Sequence, residues 1–109
     1  MRYRHFILKD IFTNNLYSLG FRKISFHDDE CKYFKYKFPV YKYKGRMVLE
    51  CEIVVNGKTG EVVTNIYDNN HSPYTPYYDR EFGNYVEMID KINKEILAEF
   101  KRLGIEEVE

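Results

Sequence analysis

The sequence predicts an α+β fold, a four-stranded antiparallel β-meander with an N-terminal and a C-terminal helix packed on one of its faces, in the order α-β-β-β-β-α. Three observations predict it. Apolar residues recur at helical spacing near both ends of the chain. Between them, apolar and polar residues alternate in runs separated by Lys44-Gly45 and Asn56-Gly57-Lys58-Thr59-Gly60. A chain of 109 residues, 44% hydrophobic, is long enough for one domain, residues 1–109, with a core of its own.

The first expected element is a helix over residues 3–18. Tyr3, Phe6, Ile7, Ile11, Leu16 and Tyr17 lie at helical spacing, and Leu8, Phe12 and Leu19 widen the stripe. Gly20 stands where a left-handed cap ends a helix. Asn14 and Asn15 are poor helix formers, so the last turn is expected to be irregular. Phe21 to His27 reads as the first strand, and Asp28-Asp29-Glu30 as a turn.

Cys31 to Tyr43 and Arg46 to Val55 then form a hairpin about Lys44-Gly45. Its register can be tested on the sequence itself. With that turn, Phe34 faces Val55, Tyr36 faces Ile53, Phe38 faces Cys51, and Val40 faces Leu49, an almost wholly apolar face. The other face pairs Lys35 with Val54, Lys37 with Glu52, Pro39 with Glu50, and Tyr41 with Val48. A slip of one residue would mix the two sets. The same register places Cys31 and Cys51 roughly 20 Å apart along the strand, too far for a disulfide.

Glu61 to Tyr67 is the fourth strand, with two phases open: Val62, Thr64 and Ile66 inward, or Val63, Asn65 and Tyr67. The stretch Val54 to Val62 resembles the strand–turn–strand of small, non-catalytic PepSY-type modules. The likeness covers this turn and its flanking residues, and no residue role is carried over from it. Residues 68–81 form a long loop. Asn84 with Glu87 is a capping box. Beyond it Tyr85, Ile89, Ile92, Ile96, Phe100 and Leu103 form a helical stripe that ends at Gly104.

Composition narrows the function classes. The 17 basic and 17 acidic residues give a formal net charge of zero, but residues 1–46 hold 11 Lys/Arg and 4 Asp/Glu. Such polarity either pairs internally or leaves a basic surface. No long apolar run or cleavage site marks a signal peptide or membrane span. A cytoplasmic protein with reduced thiols is expected, and the usage of Lys, Ile, Asn and Tyr suggests a bacterial source.

Two segments could carry a function. Lys32 to Arg46 holds six basic residues, six aromatics and no acid. Alternation sends Phe34, Tyr36 and Phe38 to the core and leaves Tyr33, Lys35, Lys37, Tyr41 and Tyr43 on the open face. The second segment is the loop Asp68 to Arg80, with His71, Tyr74, Tyr77 and Tyr78; long loops in compact domains are often functional. No Gly-rich phosphate loop, nucleophile elbow, Cys-x-x-Cys or paired-histidine spacing is present, so no catalytic residue, metal ligand or cofactor is assigned.

The expectation is therefore a small, non-enzymatic interaction or regulatory protein. It would contact a protein partner through the Tyr/Lys sheet face (Tyr33, Lys35, Lys37, Tyr41, Tyr43) and the loop (His71, Tyr74, Tyr77, Tyr78). The first alternative is a nucleic-acid binder using residues 32–46, with lysines on phosphates and rings on bases. The second is a small-ligand or catalytic domain with a pocket near the 68–80 loop. An exposed strand edge would also allow a homodimer.

Overall fold

The computed structural model describes residues 5–24, 33–74 and 86–108. In chain order they form β1 (His5–Leu8), α1 (Thr13–Leu19), β2 (Arg22–Ile24), β3 (Tyr33–Tyr43), β4 (Arg46–Asn56), β5 (Val62–Asp68), α2 (Val86–Leu103) and β6 (Ile105–Val108). The fold is α+β. Strands β2-β3-β4-β5 make a four-stranded antiparallel meander in sequence order, and β1 and β6 make a second, two-stranded sheet.

The N-terminal helix needs correction. It does not start at residue 3: His5–Leu8 is a strand, and the helix is confined to Thr13–Leu19. The cause lies at the other end of the chain. Beyond Gly104 the chain turns into β6, which lies antiparallel along β1, His5 opposite Val108 and Leu8 opposite Ile105. Leu8 and Ile105 are both buried. The Phe6 ring meets Phe100 edge-on at 4.8 Å. Lys9 reaches Glu106 at 2.7 Å, and that carboxylate holds the ammonium's pKa above its ordinary value. The Leu8 N–H also donates to the Gly60 carbonyl at 2.9 Å, tying β1 to the β4–β5 turn. Phe12, counted in the expected stripe, is 79% exposed.

The end of α1 follows the expected stop. Gly20 is left-handed, with φ of 105°. Its N–H donates to the Tyr17 carbonyl at 3.1 Å, and that of Phe21 to Leu16 at 2.9 Å. These two bonds, with Leu16 and Phe21 both wholly buried, are a Schellman ending with its apolar contact. Phe21 is thereby fixed in the core just before β2.

The central hairpin has the expected register from Phe34–Val55 to Pro39–Glu50, then shifts. Tyr41 lies opposite Leu49, not Val48, and the register returns at Lys42–Met47. Val40 and Leu49 are both buried, so the core face continues through the irregularity. The phase of β5 is set by the Asn56–Gly60 turn. Asn56 Oδ1 accepts the N–H groups of Lys58 and Thr59, and the Asn56 N–H donates to Glu61. Ile66 then falls opposite Cys51 and is buried, while Val63 is 59% exposed.

The helices pack on the face that carries Phe34, Phe38, Cys51, Ile53, Val55 and Ile66. Leu16 of α1 and Ile92, Ile96, Phe100 and Leu103 of α2 share one core cluster with them. Each such buried side chain contributes about 1.5–3 kcal/mol. Glu87, Asp90, Lys91, Lys94, Glu95, Lys101 and Arg102 fill the solvent side of α2, as its spacing predicts. Asn84, Tyr85, the expected turn Asp28–Glu30, His27 and Cys31 lie outside the described residues.

Candidate interaction surface

Residues directly opposite one another in an antiparallel sheet share a face. Working outward from the core pairs, the other face of the meander carries four cross-strand rows. Ile24, Tyr33 and Asn56 form one, and Arg22, Lys35, Val54 and Val63 the next. Lys37, Glu52 and Asn65 follow, then Pro39, Glu50 and Tyr67. Among the described residues no element lies over this face. Lys35, Pro39 and Val63 are exposed, and Tyr33, Lys37 and Tyr67 are half-buried.

The electrostatics of the face are mixed. Lys37 and Glu52 form the expected cross-strand pair at 4.0 Å. Glu50 lies one row further along the same strand. Positive charge gathers on β2 and β3 and negative charge on β4. Both carboxylates also act through the sheet on Cys51, which is buried on the opposite side. Burial first, then Glu52 and Glu50, push its thiol from 9.0 up to about 12. A thiol held so far from ionisation is a packing residue and not a nucleophile.

One end of the face is built by the start of the long loop. Asp68 Oδ1 accepts from the N–H groups of Asn70 and Ser72. His71 takes a positive φ of 67°. The turn lays the His71 ring against Tyr67, centroids 5.2 Å apart and nearly parallel. Pro73 then bridges to Tyr67, and the Tyr74 N–H donates to the Ile66 carbonyl. Residues 73–74 thus run along the outer edge of β5.

Several expected site residues are separated from this group. Tyr41 does not stand on the open face. The register shift beside it turns its ring toward the helices, where it packs against the core with the Lys91 ammonium 5.8 Å away. Tyr74 also packs against the core, as a strap and not as a presented ring. Tyr43 is 58% exposed but lies at the hairpin tip, with Lys44 5.6 Å over its ring. Tyr77 and Tyr78 lie outside the described residues. Pro39 and Glu50 stand on the face as the hairpin register predicts, and Tyr67, whose phase the sequence left open, joins them. The turn length from Asn56 to Glu61, combined with the core phase of Ile53, was the signal that places Tyr67.

On the helix side, Tyr36 forms a polar knot at the edge of the core. Its hydroxyl donates to Glu99 at 3.0 Å and accepts from Arg102 at 3.0 Å, while Arg102 Nε donates to Glu99 at 2.7 Å. Burial and the Glu99 carboxylate raise the Tyr36 phenol above its ordinary value. Hydrogen bonding to Glu99 raises Arg102. This group ties α2 to β3. Among the described residues no three His, Cys, Asp or Glu side chains gather to hold a metal ion. No described helix is long and apolar enough to cross a membrane.

No protein-family model matches the chain, and no curated protein does. Among solved structures, it is similar to a DUF1831 family protein from Lactobacillus plantarum, with a TM-score of 0.55 over 98% of this chain and 90% of that one. At 9% identity, the likeness is one of fold.

Proposed function

We propose that this chain is a non-enzymatic, cytoplasmic protein-interaction module of bacterial origin. It works through the open face of the meander and the Tyr67–His71 pair at its end. One observation carries the reading: both helices and the second sheet pack on the Phe34–Cys51 side, leaving the opposite rows of the meander to solvent among the described residues. An open surface of mixed charge with a stacked aromatic pair suits a protein partner. Tyrosine gives contact area at low entropic cost, and the loop has already fixed His71 against it. The free, buried Cys51 is consistent with a reducing compartment.

The test is affinity capture from the native cell with wild type, Tyr67→Ala and Lys35→Glu. A specific protein retained by the wild type, lost by both variants, and accompanied by unchanged melting supports the reading. Retention by both variants removes the face from it.

A second reading has its own observation. The hairpin tip gathers Lys42, Tyr43, Lys44 and Arg46, all exposed. A cation–aromatic cluster of this kind suits single-stranded nucleic acid. It predicts binding that weakens steeply with salt and disappears in a Lys42/Lys44/Arg46 triple-glutamine variant. Affinity unchanged by salt would overturn it.

A further inference from the structure

We propose that the partner of the open sheet face is a second copy of this chain, related by a two-fold axis that runs along the strands between β3 and β4. The inference rests on the reading of that face as a contact surface. Charge selects both the partner and the axis. On this face β3 carries Lys35 and Lys37, and its neighbour β4 carries Glu50 and Glu52. A two-fold axis lying in the face and parallel to the strands sets β3 of one copy over β4 of the other. Lys37 then meets Glu52 of the opposing copy, on both sides of the axis. An axis across the strands would instead lay β3 over β3 and oppose lysine to lysine. A face that sets Lys37 against Glu52 of the opposing copy on both sides of the axis has the self-complementarity an isologous interface requires.

The strand edges do not compete. On one side, among the described residues, the outer strand is the three-residue β2, and Pro39 stands on the part of β3 that β2 leaves uncovered. On β5, Pro73 bridges to Tyr67, and Tyr74 donates to Ile66. Pairing edge to edge is blunted on both sides of the sheet, while among the described residues the face is uncovered. Three strands spaced about 4.8 Å apart over the seven residues of β5 at about 3.4 Å each, with the three residues of β2 beside them, span roughly 400 Å² in projection. Stable complexes bury about 800 Å² per partner, so a weak, concentration-dependent dimer is expected.

Sedimentation velocity of the whole chain, from about 1 to 500 µM, tests this across the range where a weak interface would dissociate. Wild type should shift from monomer to dimer, and added salt should move the midpoint upward. Lys37→Glu and Glu52→Lys should each weaken association about tenfold or more, and the double reversal should restore it. Lys35→Glu, at an exposed position, should also weaken it with melting unchanged. Wild type monomeric throughout overturns the inference, as does a dimer indifferent to these reversals. Neither result touches capture of an unlike protein by the face, which stands or falls on its own experiment.

Discussion

Gly60 stands at the contact between the two sheets, beside the Ile7–Glu61 bridge, and replacing it by alanine perturbs that contact. Its φ is +81°, and a Cβ added there would lie 2.4 Å from the Leu8 carbonyl oxygen. That neighbour is backbone, fixed by the β1–β6 ladder, so one side must move. The positive φ costs about 1–2 kcal/mol for a residue with a side chain. Displacing β1 forfeits the Leu8 N–H bond to the Gly60 carbonyl, about 0.5–1.5 kcal/mol. The total is about 1.5–3.5 kcal/mol before any repacking of Leu8. Gly45 provides the control. It has φ of +78° and nothing within 4 Å of an added Cβ, so Gly45→Ala should cost only the backbone part. Urea unfolding of the two variants gives the difference directly. Gly60→Ala should lie at least about 1 kcal/mol below Gly45→Ala, equivalent to a melting difference of about 4–8 °C. Equal costs would refute the docking of β1 on this turn.

Other expectations follow from the polar groups. Tyr36→Phe removes a hydroxyl that links Glu99 and Arg102 across α2 and β3 and should cost about 1 kcal/mol in denaturant unfolding. The folded-state rise of the Cys51 thiol to about 12 means that the unfolded chain loses this proton first. Its contribution is complete below pH 9 and is lost as pH rises toward 12, so stability should fall with pH in that window. Cys51→Ala should flatten that part of the pH profile. In a Cys31→Ser background, a thiol reagent at neutral pH should label Cys51 only after denaturation.

What the sequence made legible was what neighbouring residues determine. The β3–β4 register followed from one turn and two apolar rows, and α2 followed from a stripe of four buried residues ending at Gly104. The strand pair β1–β6 was hidden because its partners are about a hundred residues apart. Phe6, Ile7 and Leu8 fit a helical stripe as well as a strand, and four-residue Ile105–Val108 has too little pattern to announce itself. Only pairing between the two decides their conformation, and no local window contains both. The candidate surface was half legible for the same reason. Lys35, Lys37 and Glu52 fell where alternation placed them, whereas Tyr67 needed the length of a second turn.

Tyr41 shows what one irregular residue pair does to a functional expectation, and it can be tested against Tyr43. Strict alternation puts both rings on the open face, where alanine would leave stability unchanged. The register shift between Pro39 and Lys42 breaks that equivalence. Tyr41 is packed against the core beneath Lys91, whereas Tyr43 projects at the tip. Full burial of an aromatic ring makes its removal cost about 3–5 kcal/mol. Half-buried Tyr41 should therefore cost about 2 kcal/mol, including about 0.5 kcal/mol or more from the Lys91 cation–π contact. Tyr43→Ala should stay within about 0.5 kcal/mol of wild type, as surface substitutions do. Lys91→Ala in the Tyr41→Ala background should add less than it does alone, because the two share one contact. Parallel urea curves with unchanged slope would measure wild type and all four variants. If Tyr41→Ala proved as mild as Tyr43→Ala, both rings would belong to the open surface, and the face would extend to the hairpin tip.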